Sequence, residues 1–201
     1  MRITDNISCR CELRDIAFVQ SGYLSRSKVL PLPSGTHRLL RVSDVSPDGV
    51  VDADTAIRFQ PQRNPELYRI SRGDILIVAR GEVHYAYLIS MDLINTLASS
   101  VFHIIRPRKE IVLPDYLAWW LNQPDVQAEI NLNSRGTGIG YVSRQDVEHL
   151  TVVLPPINVQ NGIVKTINLW QLRKEIQTRL DGAKEKLIQA ICRQILHQGK
   201  E

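Results

Sequence analysis

The sequence has few cysteines and no long apolar run, and each shortage excludes a class of protein. Its three cysteines, Cys9, Cys11 and Cys192, form neither an even set for disulfides nor the two ligand pairs of a typical zinc site. No apolar segment approaches the ~20 residues needed to span a bilayer. The segment MRITDNISCRCELRD lacks the apolar region of a signal peptide. We therefore expect a cytoplasmic chain without a metal site or a membrane span.

The sequence also lacks the local motifs that identify several classes of enzyme. Gly136, Gly138 and Gly140 have the spacing of neither a P-loop nor a dinucleotide-binding loop, and they follow a predicted helix. The double proline in 154–157 lacks the polar and aromatic neighbours of an amino-methyltransferase motif. No acidic residue is followed two positions later by lysine, as in many metal-dependent nucleases. We therefore predict a non-catalytic chain with no cofactor of its own, unless catalytic residues lie far apart in sequence.

The sequence up to about residue 113 predicts short strands separated by turns. Apolar runs predict strands at 39–42, 75–79, 86–89, 101–105 and just before Pro155, and residues 46–49 predict a turn. Prolines followed by acids predict the starts of two helices, at 114–121 and 124–130, and Trp119 and Trp120 are predicted to pack instead of stacking on bases. The expected fold class is α+β, with a compact β-rich domain over residues 1–156.

After Pro155-Pro156 the pattern changes to that of one long amphipathic helix, predicted from Ile163 to Gln198. Such a helix reaches ~54 Å at 1.5 Å per residue, which is more than a small domain covers. We predict that residues 157–201 form a spacer and dimerisation helix, although its apolar stripe would also fit a helix folded back onto its own domain. The stripe consists of Leu169, Leu172, Ile176, Leu180, Ala183, Leu187, Ile191 and Ile195.

Several motifs, each weak alone, together resemble the specificity subunits of type I restriction-modification systems. They occur in the family's order across roughly residues 12–198, and their order and spacing are more specific than any one of them. The motifs are Gly73-Asp74-Ile75-Leu76 followed by Arg80-Gly81, Leu113-Pro114-Asp115-Tyr116-Leu117, the glycine-rich loop, Leu154-Pro155-Pro156, and Gln160 with Ile163 at the start of a long helix.

The resemblance implies an architecture and a set of partners. Specificity subunits usually carry two target recognition domains and two long helices, which pair as an antiparallel coiled coil between two DNA half-sites. This chain has one such domain and one such helix, so the resemblance implies a half-sized subunit that dimerises; a truncated product and one domain of a related system are alternatives. It also implies that catalysis belongs to partners, namely a DNA methyltransferase subunit that uses S-adenosylmethionine and a motor-nuclease subunit.

Three loops carry side chains suited to double-stranded DNA, since arginine and lysine bind phosphates and arginine also binds guanine edges. The net charge of +4 is compatible with this role without requiring it. A protein-interaction module that does not bind DNA, and a nuclease with dispersed catalytic residues, remain alternatives. The predicted contacts are Arg26 and Lys28 in loop 21–28, Arg80, His84 and Tyr85 in loop 80–85, and Arg135, Thr137, Tyr141, Ser143 and Arg144 in loop 133–144.

Overall fold

The fold combines helices and strands, as the computed structural model shows for residues 8–25, 28–46, 51, 55–134 and 140–198, with the backbone only for 196–198. The chain divides into two compact units, Met1–Gln160 and Asn161–Glu201. The elements in chain order are β1 (Cys9–Glu12), α1 (Leu13–Ile16), β2 (Ala17–Ser21), β3 (His37–Leu40), β4 (Ile57–Phe59), β5 (Ile75–Val78), β6 (Ala86–Leu88), β7 (Thr96–Ala98), β8 (Phe102–Pro107), α2 (Pro114–Leu121), α3 (Pro124–Asn133), α4 (Arg144–Glu148), β9 (Thr151–Leu154) and α5 (Ile157–Gln198).

The first unit is built on three small sheets. The central sheet has the strand order β2-β8-β5-β6 and is antiparallel throughout. A three-stranded sheet of order β4-β3-β7 and the pair β1-β9 complete the unit. β5 supplies the core, because all four of its side chains are at most 5% exposed. This continuous apolar run, without alternation, is expected for a strand that is covered on both faces.

The predicted fold class is confirmed, and the predicted strands are present with shifted ends. The run at 39–42 stops as a strand at Leu40, because residues Val42–Asp44 form a 3-10 turn in which Arg41 pairs with Asp44. The predicted turn at 46–49 lies almost entirely outside the described residues. The strands β1, β2, β4 and β7 were not predicted. Segments of three to five residues carry little periodic signal, and β1 pairs with β9, which follows about 140 residues later.

Helices α2 and α3 begin at their prolines, as predicted, because proline at the first turn removes no helical hydrogen bond. Trp120 is 8% exposed and the Trp119 ring lies 5.7 Å from that of Tyr116, so both tryptophans pack within the fold, as predicted. The Tyr116 hydroxyl donates to the Val153 carbonyl at 2.7 Å, and burial raises the pKa of Tyr116 to about 12. This hydrogen bond ties α2 to β9.

Gln160, in the first turn of the long helix α5, has a structural role. Its side chain is fully buried, and its Oε1 accepts from the Leu113 backbone N–H at 2.9 Å. Its Nε2 donates to the carbonyls of Pro155 at 2.8 Å and Ile111 at 3.2 Å. Buried backbone groups require partners, and one amide bonds to one buried and two partly buried backbone groups. The motifs at 113–117, 154–156 and 160 therefore lie together and stabilise the fold.

Helix α5 is continuous from Ile157 to Gln198, so it begins six residues before the predicted start at Ile163. The apolar stripe is exposed in the single chain: its leucines and isoleucines are between 47% and 67% exposed. Within the described part of the chain, no helix is both long and apolar enough for a membrane span. The predicted division between residues 156 and 157 coincides with the start of α5, and the compact units separate one helical turn later.

Candidate nucleic-acid interface

Two of the three predicted DNA-binding loops lie side by side. The Val142 N–H donates to the Ala79 carbonyl at 3.0 Å, and the Gly81 N–H donates to the Gly140 carbonyl at 3.1 Å. Between these bonds, Arg80 and Tyr141 pair as an antiparallel bridge. Segments that are about 60 residues apart in sequence therefore form a short two-stranded ribbon beyond the end of β5.

The side chains of Arg80 and Tyr141 also interact on this ribbon. The guanidinium carbon of Arg80 lies 5.4 Å from the centre of the Tyr141 ring, which is a cation–π contact. Tyr141 is 38% exposed, and Arg80 is exposed. Among the described residues, no carboxylate pairs with Arg80. A planar, oriented cation without a carboxylate partner is well suited to contact a phosphate or a guanine edge.

Glycines permit the close approach of the two loops. Gly81 has φ of +140°, a conformation that residues with a Cβ rarely adopt. A Cβ at Gly140 would clash with the hydroxyl of Ser134 and would lie 3.2 Å from the Gly81 carbonyl. The glycines at these two positions therefore allow the backbones to pair. At least Gly140 of the glycine-rich loop is therefore required by the close packing of the two loops.

His103 lies behind the ribbon in β8 and connects it to the first loop. Its Nε2 donates to the Val142 carbonyl at 2.9 Å, so its Nδ1 is the acceptor for the Ser21 hydroxyl at 3.3 Å. The His103 ring also lies 6.3 Å from that of Tyr141, edge to face. Burial, and then the nearby charge of Arg144, lower the pKa of His103 against the opposing effect of the Val142 hydrogen bond. The imidazole is therefore neutral at pH 7.

Ser143 and Arg144 begin helix α4 directly after the ribbon. The Ser143 hydroxyl accepts from the Asp146 N–H at 3.1 Å, and the Asp146 carboxylate accepts from the Ser143 N–H at 3.0 Å. This reciprocal cap fixes the start of the helix. Arg144 is exposed, and its Nε lies 3.4 Å from Glu148. Ser143 thus caps a helix, whereas Arg144 has a surface partner that a phosphate can replace.

The prediction that His84 contacts DNA is wrong for this conformation. His84 is fully buried, and its Nδ1 donates to the Val78 carbonyl at 2.7 Å. The imidazole fills the interior of the loop that carries Arg80. The neighbouring Tyr85 is 52% exposed and remains a predicted contact. A lone histidine in a polar loop carries no local sign of burial, so its position could not be predicted from the sequence.

The remaining predicted contacts are placed less fully. Lys28 is exposed, beside Val29, which packs on the cluster around Tyr23. Arg26, Arg135 and Thr137 lie outside the described residues. His103 was not among the predicted site residues, although a polar residue inside the apolar run 101–105 is a signal of a buried role. Across the described ranges, no cluster of His, Cys, Asp and Glu side chains is arranged to hold a metal ion.

Curated proteins with similar sequences are type I specificity subunits. No protein-family model matches the chain. The EcoBI specificity subunit of Escherichia coli is 25% identical over 148 residues, which cover 72% of this chain and 31% of that protein. The HindI specificity subunit of Haemophilus influenzae is 27% identical over 126 residues, covering 61% and 27%. The chain thus corresponds to only part of these relatives.

Solved structures share the fold. An S subunit from M. genitalium matches with a TM-score of 0.56 at 13% identity, covering 87% of this chain and 42% of that one. The HsdS subunit from Thermoanaerobacter tengcongensis matches with 0.63 at 21% identity, covering 86% and 44%. A chain from a structure on the assembly of a type I R-M system matches with 0.67 at 15% identity, covering 92% and 43%. The chain is therefore similar in sequence to type I restriction-modification specificity subunits and shares the fold of the solved S subunits, and it spans less than half of the length of each of these proteins.

Proposed function

We propose that the chain is the DNA-recognition subunit of a type I DNA methyltransferase complex and acts as a half subunit. The observation that carries this proposal is the ribbon of Arg80 and Tyr141, where two loops predicted to bind DNA meet. The similarity to specificity subunits supports it. The ribbon presents an exposed cation and an aromatic ring without a carboxylate partner for Arg80 among the described residues.

In this proposal the ribbon and the start of α4 face double-stranded DNA. Arg80 is positioned by the Tyr141 ring and contacts a base edge or a phosphate, and Arg144 exchanges its Glu148 partner for a phosphate. Tyr85 and Tyr141 supply exposed aromatic surface beside these cations. Ser143 contributes indirectly, because its cap fixes the start of α4 and therefore the position of Arg144, the first residue of that helix.

The exposed stripe of α5 supports the dimeric part of the proposal. Isolated helices derive little stability from propensity alone, and an apolar face needs a partner. Leu172, Ile176 and Leu180 are 51%, 56% and 47% exposed, so a second copy of α5 would remove substantial apolar area from water. Pairing of two helices would bring two recognition units onto one DNA, which matches a two-part site.

The proposal assigns catalysis to other subunits. The methyltransferase partner would bind S-adenosylmethionine and transfer the methyl group, and a motor-nuclease subunit would perform any restriction. This chain would determine where on the DNA the complex acts. Its own residues then bind, orient and select DNA, and none of them needs to take part in covalent chemistry.

The decisive experiment is to co-express the chain with the methyltransferase subunit of its own system and to map methylated sites in the DNA. We expect methylation at one two-part sequence. The double variant Arg80→Ala, Arg144→Ala should lower methylation at that site about tenfold or more, because a lost base contact is worth roughly 1–3 kcal/mol and a lost phosphate contact weakens binding further. Arg69→Ala is the matched control, since Arg69 is a partly exposed arginine paired with Glu66 at 3.2 Å but lies outside the three predicted DNA-binding loops.

The dimer is tested with the same complex by multi-angle light scattering. Leu180→Glu places a charge in the apolar stripe and should separate the two copies, whereas Gln189→Glu adds the same charge outside the stripe and should not. Unchanged association of the Leu180→Glu complex would refute the stripe as the interface. A chain that copurifies with protein partners but never changes methylated sites would favour the protein-interaction module, and DNA cleavage by the chain alone would favour the nuclease.

A further inference from the structure

His103 occupies an unusual position for a polar side chain. It lies in β8, one of the two interior strands of the central sheet, where it pairs with Ser21 of β2 and with Ile77 of β5. Its residue surface is 1% exposed, so it cannot itself contact DNA in this conformation. Burial of a polar group is unfavourable unless its hydrogen bonds are made. Both ring nitrogens of His103 do have partners, and these partners belong to predicted DNA-binding loops.

The partners of His103 join three loops at one point. Ser21 is the first residue of loop 21–28, and Val142 belongs to loop 133–144. Val142 is held on both sides, because its N–H donates to the Ala79 carbonyl and its carbonyl accepts from His103. The residue before Val142 is Tyr141, whose ring lies under Arg80 of the remaining loop. A change at the imidazole therefore reaches all three loops through hydrogen bonds or ring contacts.

We propose that His103 is a positioning residue that sets the placement of the Arg80–Tyr141 ribbon relative to the first loop. It acts through the Val142 carbonyl and the Ser21 hydroxyl and leaves DNA contact to the exposed side chains. The effect on DNA selection rests on the proposed function, whereas the effect on the ribbon does not. A neutral imidazole is suited to this position because it is a donor at one end and an acceptor at the other.

The ribbon is tested by amide hydrogen exchange of the full chain, measured by NMR. The reporters are the Gly81 and Val142 amides, whose N–H groups form the ribbon. In His103→Leu we expect both amides to exchange about tenfold faster, after correction for global stability, because the Val142 carbonyl loses a buried partner. His103→Gln keeps a hydrogen-bond donor, so the two amides should exchange more slowly in this variant than in His103→Leu. Ser21→Ala is a milder variant that tests the same joint if His103→Leu does not fold.

The matched control is Ile105→Val, a core change in the same strand. Ile105 is fully buried and pairs with Ile75 and Val19, two residues away from the imidazole along β8. Equal acceleration in the control and in His103→Leu would show general loosening of the sheet and would overturn the proposal. So would His103→Gln exchanging as fast as His103→Leu, since the donor would then not matter.

A second measurement separates this proposal from the proposed function. The methyltransferase complex is incubated with a pool of random duplexes, and the bound fraction is sequenced. With His103→Leu we expect a sequence preference weaker than that of wild type and of Ile105→Val. A wild-type complex that enriches no sequence would refute DNA recognition. The hydrogen-exchange result would still decide whether His103 positions the ribbon. If the amides of His103→Leu exchange faster but this variant keeps the sequence preference of wild type, the role of His103 in DNA selection is overturned.

Discussion

The two ends of strand β5 hold their arginines in different ways. At the N-terminal end of β5, next to Asp74, the Arg106 Nε lies 3.6 Å from the Asp74 carboxylate. The Arg106 Nη2 donates to the Arg69 carbonyl at 2.7 Å. At the other end, Arg80 lies over the Tyr141 ring and has no carboxylate partner among the described residues. The first arrangement neutralises its arginine internally, whereas the second leaves a cation for another molecule.

This difference indicates which end is structural. The Asp74 carboxylate also accepts from the Ser71 N–H at 2.9 Å, and Gly73 between them has φ of +94°. The Gly-Asp pair that contributed to the family resemblance therefore forms a turn that begins β5. A Cβ at Gly73 would lie 3.8 Å from Pro114, so this end adjoins the start of α2, where Gln160 binds Leu113. We infer that this end stabilises the fold and that the Arg80 end binds DNA.

The largest expected effect is at the structural end. Gln160→Ala should lower the free energy of unfolding by about 3 kcal/mol, because one buried and two partly buried backbone groups lose their partner, at roughly 1–3 kcal/mol for a fully buried group. Urea denaturation measures this loss. Gln177→Ala, which removes an exposed amide bonded to Asp181 on α5, is the control and should change stability by less than about 0.5 kcal/mol. Equal stability of the two variants would contradict the structural role of Gln160.

An intermediate effect is expected at the Arg80 end, which we propose to bind DNA. Tyr141→Ala removes the ring that orients Arg80 and should weaken DNA binding of the methyltransferase complex by about 1 kcal/mol, the size of a cation–π contact. Tyr141→Phe keeps the ring and should bind nearly as well as wild type. Titration of labelled duplex at two salt concentrations measures both variants. A Phe variant as weak as the Ala variant would instead indicate a direct role for the hydroxyl.

The smallest effect concerns the pH dependence of stability at Asp74. Burial raises the pKa of Asp74 above its usual value, despite the Ser71 N–H and Arg106. The folded state therefore favours the protonated carboxyl, and the Asp74 contribution to stability declines as pH rises from the ordinary carboxyl pKa through the raised one. Asp74→Asn stays neutral, so its stability relative to wild type should increase as pH rises through that window. Asp92→Asn, at an exposed position, is the control for urea denaturation at each pH. A relative stability that falls with rising pH would contradict the raised pKa.

Much of the fold was predictable because its signals are local. Residues that are neighbours in sequence determine each of these elements. The signals are the apolar run 75–79 for β5, the prolines at 114 and 124 for α2 and α3, and the helical period for α5. The short strands β1, β4 and β7 were not predictable, since their pairing partners lie elsewhere in the chain. The arginines and hydroxyls of three loops were the basis of the DNA-binding prediction, whereas no local pattern indicated the burial of His84 or the central position of His103.

The sequence by itself determined a long amphipathic helix, a β-rich domain before it and three polar loops, because composition and period act within a few residues. Only the tertiary structure decided which loops meet. The ribbon of Arg80 and Tyr141 exists because antiparallel pairing joins residues 79–81 to 140–142, and no local pattern encodes that register. The tertiary structure likewise decided that Gln160 and His103 act through buried hydrogen bonds, because burial depends on what the rest of the chain packs around a residue.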